Sequence, residues 1–273
     1  MSPAPDPTEL VDLAAEAATA AAALLVDGLA RARHSIETKT SVTDLVTDMD
    51  RASERAIVER LLAERPHDAV LGEEGSDRAG TTGVLWIIDP IDGTTNYVYG
   101  HPGFAVSIAA DWTDPATGRP EPLVGVVADP LHAEVFTAIA GGGAFRNGEP
   151  IRCSATTELR QALVATGFSY EADRRARQAG VLAHLLPAVR DIRRMGAASV
   201  DLCSVACGRV DAYYERGLKA WDFAAGALVA VEAGAIVADL DGGGPSEAFT
   251  LAATPAIHRP LAELLAGAGA ADA

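Results

Sequence analysis

Cysteine is scarce: three residues in a chain of 273, an odd number that offers no disulfide framework and suits a reducing cytoplasm. Cys203 and Cys207 stand four apart on an expected helix, yet no other soft ligand lies near them in sequence, so both read as small buried side chains. Basic residues are also few. Lys and Arg number 22 against 38 Asp and Glu, a formal net charge of −16, and the densest basic pairs are Arg174-Arg175 and Arg193-Arg194. That balance argues against a nucleic-acid surface and accounts for solubility. Long apolar runs are missing as well. The longest stretch without a formal charge, Gly93 to Ala110, is broken by Asn96, His101, Pro102 and several glycines, which rules it out as a membrane span. Asp6, Glu9, Asp12 and Glu16 precede or enter the first apolar stretch with no basic leader, so no signal peptide is expected. There is no Gly-Lys-Ser/Thr phosphate loop and no GxGxxG at a strand-to-helix turn; the glycines at 141 to 143 fit a bent hairpin instead.

What is present is enough apolar material, 49% of the chain, to bury a sizeable core. Periodicity predicts helices over Thr8 to Arg33 and Met49 to Glu64, with a short extended piece at Val42 to Val46 between them. Strands are expected at Ala69 to Gly72, around Trp86, at Phe104 to Ala110, Leu123 to Ala128 and Glu134 to Ala140, and Asn147-Gly148 signals a hairpin turn. Ser76 to Gly83 reads as a mobile polar loop. After Pro150 strands and helices alternate: strands at Ala162 to Phe168, Asp211 to Tyr214, Ala235 to Leu240 and Thr250 to Ala253; helices at Glu171 to Val189, Ala198 to Cys207, Trp221 to Gly234 and Pro260 to Ala266. Gly267 to Ala273 should fray. The chain therefore divides into residues 1–150, a helix pair with a mixed or antiparallel sheet, and residues 151–273, an α/β portion.

The chemistry concentrates in Trp86-Ile-Ile-Asp-Pro-Ile-Asp-Gly-Thr-Thr-Asn96. Trp86 to Ile88 form a buried strand that Pro90, lacking an N–H, is expected to stop, leaving Asp89 at the strand end and Asp92 in the turn. Gly93, Thr94 and Thr95 then offer N–H groups and hydroxyls at a helix start, a place for an anionic phosphate. Carboxylates and phosphate repel each other, so a site that gathers both implies divalent cations between them. Hard oxygen ligands without His or Cys favour Mg²⁺ over zinc.

Together with Asp44-Leu-Val-Thr-Asp-Met-Asp50, Gly72-Glu-Glu-Gly75 and Trp221-Asp222, this stretch resembles the inositol monophosphatase family of Mg²⁺-dependent, lithium-sensitive phosphatases, over about Glu9 to Leu265. The resemblance implies a layered αβαβα fold, and a first metal held by Glu73, Asp89 and the carbonyl of Ile91. A second metal falls to Asp89, Asp92 and Asp222, and a weaker third leans on Glu73. It assigns Thr94, paired with Asp50, and Glu73 to orienting the attacking water. Asp92, Gly93, Thr94, Ala198, Glu215 and Asp222 fall to the substrate, with the N–H groups of Gly93 and Thr94 on its phosphate oxygens, Glu215 on its polyol hydroxyls and Ala198 by the ring. Around residues 193 to 202 the chain looks like bacterial members, which accept a wider set of sugar and polyol phosphates. Lys39 matches a family lysine near the metal loop, and none of the six histidines falls in the motifs. A cytoplasmic homodimer acting on inositol 1-phosphate or a related phosphate is the expectation. Histidinol-phosphate phosphatase, fructose-1,6-bisphosphatase and 3′-phosphoadenosine 5′-phosphate phosphatase are the rivals within the superfamily, and a non-catalytic partner-binding protein is the rival outside it.

Overall fold

The computed structural model describes residues 4–29, 36–38 and 45–273; Lys39, Asp44 and the predicted run of the first helix to Arg33 lie outside them. Helix α1 (Pro7–Gly28) begins where Asp6 accepts the Thr8 N–H at 2.9 Å, with proline in the first turn. It buries Leu10, Ala14, Ala17, Ala18, Ala21 and Leu25, a stripe of mostly small side chains that lets the helix lie close to its neighbours. Helix α2 (Asp48–Glu64) starts with a reciprocal cap: Thr47 accepts from the Asp50 N–H, and Asp50 accepts from the Thr47 N–H. Between the helices lie two short antiparallel strands, β1 (Ile36–Thr38) and β2 (Leu45–Thr47).

A seven-stranded sheet follows in chain order: β3 (Ala69–Gly72), β4 (Val84–Asp92), β5 (Ala105–Thr113), β6 (Pro120–Asp129), β7 (Glu134–Ile139), β8 (Gly143–Arg146) and β9 (Glu149–Pro150). Only β3 and β4 run parallel. Asn147 and Gly148 both take positive φ, 51° and 80°, and close the β8–β9 hairpin as the sequence predicts. A short helix, α3 (Thr94–Tyr99), links β4 to β5.

The second sheet has five strands: β10 (Leu163–Thr166), β11 (Asp191–Arg193), β12 (Ala212–Glu215), β13 (Ile236–Ala238) and β14 (Thr250–Ala253), in the spatial order β11-β10-β12-β14-β13. Its helices are α4 (Ala172–Leu185), α5 (Ala198–Ala206), α6 (Ala220–Glu232) and α7 (Pro255–Gly267). Three apolar cores fix the layering. One joins α1 and α2 to a face of the seven-stranded sheet through Leu25, Ile57, Trp86, Ile88 and Ile108. The second packs α5 and α6 between the two sheets, with Val127, Phe136, Leu202, Val229 and Tyr213. The third lies between the five-stranded sheet and α4 and α7, with Val164, Leu185, Leu251 and Leu261. The order is thus αβαβα, the architecture expected of the sequence.

Three expectations are corrected. Strand β4 does not stop at Pro90 but runs on to Asp92, because a register irregularity at that point leaves the proline without a ladder bond to donate. The C-terminal residues do not fray: Ala270 and Ala273 are buried, and the carbonyls of Asp272 and Ala273 accept from Arg177 and Arg216 at 3.1 and 2.9 Å. The polar loop after Gly72 is pinned at several points. Val70 and Arg78 form a bridge, Thr81 N–H donates to the His67 carbonyl, and Thr82 donates to the buried Asp68, which also accepts from Trp86 Nε1.

Candidate metal centre

Asp89 and Asp92 are three residues apart, so in a regular strand they would point to opposite faces. The β4–β5 pairing shows how they come together. Asp89 lies opposite Ser107 and Asp92 opposite Ala105, so three steps on β4 match two on β5 and one extra residue is absorbed as a bulge. Parity is thereby reset. Trp86, Ile88 and Ile91 face α1 and α2, while Ile87 and Ala105 face the central helix layer, and with them Asp89 and Asp92. Ser53 of α2 donates to the Pro90 carbonyl at 3.0 Å and ties the bulge down from behind.

The central layer brings the remaining groups. Asp222 stands in the first turn of α6, where it caps its own helix by accepting the Lys219 N–H at 2.5 Å. Capping and a place in the site coexist: Asp89, Asp92 and Asp222 each present a carboxylate oxygen, all within 4.8 Å of one another. A divalent cation with oxygen ligands at about 2.1–2.5 Å accommodates donors at such separations. Glu73 follows β3, its N–H on the Ile88 carbonyl at 3.2 Å, and its side chain meets Asp89. Three separate segments therefore converge on one point.

Electrostatics state what this cluster requires. Burial, followed by repulsion from Glu73, Asp92 and Asp222, pushes the Asp89 carboxyl well above the usual carboxylate range. Burial, then Asp92 and Glu73, does the same to Asp222. Asp92 is raised less. Its burial is opposed by the Ser199 hydroxyl and N–H, by the Ala198 N–H and by the charge of Arg194. Carboxylates packed this closely stay ionised at neutral pH only with positive charge among them. The donor set is all oxygen, with no His or Cys in the cluster, and it fits a hard divalent ion.

Beside the cluster, Thr94 opens α3 with its hydroxyl 3.0 Å from Asp50 Oδ1 and 3.1 Å from the Ile91 carbonyl. The other Asp50 oxygen accepts from Thr47, so Asp50 is buried and stands off the acidic cluster, in contact with Thr94. Gly93 precedes them with φ +88°, and a Cβ there would stand 2.8 Å from the Gly103 carbonyl oxygen. Only glycine allows both the turn and that approach.

On the opposite side, Ala198 N–H donates to Asp92 Oδ1 at 3.2 Å, while Ser199 donates to Oδ2 through its N–H at 2.6 Å and its hydroxyl at 2.5 Å. Asp92 thus binds the start of α5, a partnership that sequence reasoning missed. Glu215 ends β12 and accepts from Tyr213 at 2.7 Å. Burial raises it to about 7 against the pull of the Tyr213 hydroxyl and Arg194, with Asp92 raising it further. Asn96 has no assigned role in the sequence reading; its amide donates to the carbonyls of Gly103 and Met195 at 2.6 and 2.8 Å and fastens the segment around Met195 to α3 and the loop after it. Its only signal in the sequence was its place at the end of the Asp-Gly-Thr-Thr run.

A bulged strand end that shares an acidic cluster with the first turn of a central helix, inside five alternating layers, is a site whose groups fit a divalent cation. The inositol monophosphatase family profile matches residues 6–270, and the chain belongs to that family. Membership supports a phosphatase. The chain is 42% identical to the Mycobacterium tuberculosis protein named inositol-1-monophosphatase SuhB, over 94% of this chain and 93% of that one. It is 41% identical to a Pasteurella multocida protein named Nus factor SuhB, over 86% of each. The solved structure of the Bartonella henselae extragenic suppressor protein SuhB superposes with a TM-score of 0.88 at 34% identity, covering 94% of this chain and 98% of the other.

Proposed function

We propose that this protein is a Mg²⁺-dependent phosphomonoesterase that hydrolyses inositol 1-phosphate, or a related polyol phosphate, by attack of water on phosphorus. The observation that carries the reading is the meeting of Glu73, Asp89, Asp92 and Asp222 beside the Thr94–Asp50 pair. Glu73, Asp89 and the Ile91 carbonyl would hold one cation, and Asp89, Asp92 and Asp222 another. When bound, such ions lower the pKa of the attacking water and stabilise charge on the leaving oxygen.

The chain's own groups do the rest. Thr94 has one hydroxyl proton and two acceptors near it, and the charged Asp50 is the stronger. With its proton committed there, Thr94 accepts a hydrogen bond from water and, with Glu73, aims a lone pair at phosphorus. The N–H groups of Gly93 and Thr94 take phosphate oxygens. Glu215 accepts from the hydroxyls of the alcohol, with Ala198 beside the ring. A cytoplasmic homodimer inhibited by lithium completes the proposal; among the described residues no helix is long and apolar enough to cross a membrane.

Phosphate release from inositol 1-phosphate, histidinol phosphate, fructose 1,6-bisphosphate and 3′-phosphoadenosine 5′-phosphate, each with and without Mg²⁺, tests it. Mg²⁺-dependent preference for inositol 1-phosphate is expected, and a preference for histidinol phosphate would defeat the substrate assignment. The Nus-factor name of the Pasteurella relative motivates a second reading, a partner-binding role. That reading alone predicts no Mg²⁺-dependent release from any of the four.

A further inference from the structure

Helix α2 buries Asp50, Ser53, Glu54, Ile57 and Leu61, a single stripe whose far end is apolar and whose near end is polar. Two of its polar members are already placed: Asp50 takes the Thr94 hydroxyl and Ser53 the Pro90 carbonyl. Glu54 is 1% exposed and belongs to no motif. Its Oε2 accepts the N–H of Glu74 at 2.8 Å and its Oε1 the N–H of Ser76 at 2.9 Å. Those are the two N–H donors on either side of Gly75 in the turn that follows Glu73. The carboxylate also lies flat against Gly72, where a Cβ would meet Glu54 Cδ and Oε2 at 2.7 Å. The loop closes around it. Gly75, at φ +96°, donates to the Gly72 carbonyl at 3.4 Å, and the Gly72 N–H donates to Asp77 at 3.2 Å.

We infer that Glu54 is a positioning residue for the metal centre: it shapes the Glu73–Ser76 turn so that Glu73 meets Asp89, and thereby sets the cation affinity of the site. The inference rests on the phosphatase reading above. Strand β3 ends at Gly72, so Glu73 stands at the start of the turn that Glu54 binds. A carboxylate that accepts from two part-buried backbone N–H groups orients a turn more firmly than solvent does. Partners that orient metal ligands typically account for about 10–100-fold in metal affinity.

Two variants approach the same contact from opposite sides. Glu54→Gln keeps the shape but loses one acceptor, because an amide NH₂ cannot accept from a backbone N–H. Gly72→Ala leaves Glu54 intact and displaces it, since the added methyl meets only the end of that flexible side chain and the backbone there is not left-handed. Mn²⁺ binding, followed by electron paramagnetic resonance without substrate, and Mg²⁺ dependence of phosphate release are measured for wild type and both variants. Both variants should bind Mn²⁺ about 10-fold or more weakly and need correspondingly more Mg²⁺ for half-maximal release. KM at saturating Mg²⁺ should stay within about 3-fold of wild type. Unchanged Mn²⁺ affinity in both variants, with only a lower melting temperature, would overturn the inference. Failure of wild type itself to bind Mn²⁺ would overturn the underlying phosphatase reading instead.

Discussion

The acidic side of the candidate site is cross-tied by hydrogen bonds between separate elements, buried from Ser53 to Pro90, Thr94 to Asp50 and Ser199 to Asp92, and part-buried from Glu54 to the turn after Glu73. The two charged groups on the side proposed to face the alcohol are tied more lightly. Glu215 leans on Tyr213 two residues back on the same strand, and Arg194, the cation facing Asp92 and Glu215, is exposed. The contrast suggests a division of labour. Groups that must meet within a few tenths of an ångström for the proposed chemistry are held from several directions, whereas the groups proposed to read the alcohol can change without disturbing them.

Substitutions on the first side should therefore act on turnover, and those on the second on KM. The largest effect is expected of Asp92→Asn, which removes charge from the cation cluster. Turnover should fall by more than about two orders of magnitude with folding retained by circular dichroism, and normal turnover would count against the assigned site. Thr94→Val should follow, lowering kcat by about 10²-fold while Mn²⁺ affinity stays near wild type, because the hydroxyl orients water and binds no cation. An equal loss of metal binding would erase the distinction between the two roles.

Glu215→Gln should raise KM for a polyol phosphate by about 10-fold and leave kcat little changed. In the unaltered enzyme Glu215 is held at about 7, so the group becomes a full acceptor only as pH rises through that value, and KM should fall across it. The stability sign runs the other way. With the folded value above the ordinary 4.5, the native state binds more protons between 4.5 and about 7, so this group's contribution to stability is lost as pH rises over that window. A KM that stays flat with pH in wild type would remove Glu215 from the alcohol side. The smallest effect is thermal: Mg²⁺ at 100 times its dissociation constant should stabilise the fold by about 2.7 kcal/mol, read as a higher melting temperature that EDTA abolishes.

Glu73, Asp222 and the Asp50–Thr94 pair were reached through the family resemblance, whereas Asp89 and Asp92 were legible in the sequence itself as carboxylates beside glycine and threonine at an apolar strand end. Their orientation was not. Pro90 reads as a strand terminator, yet it occupies the bulge that turns Asp89 and Asp92 to one face. The tethers were invisible for a different reason. Ser53 and Glu54 lie in a helix rich in charged residues, and Ser199 in a run of small ones, where a polar residue at a buried position looks like any solvated one until the sheet is packed against it. The helices and strands were readable from periodicity and their layering from the family resemblance, while the ends of elements shifted wherever tertiary hydrogen bonds decided them, as at Pro90 and the C-terminal turn.

The account depends on separate carboxylates holding cations at one place. A crystal grown with Mn²⁺ and measured at the manganese absorption edge should show anomalous peaks in contact with Glu73, Asp89, Asp92 and Asp222. An enzyme active with Mn²⁺ whose crystals carry no peak among those four side chains would contradict it.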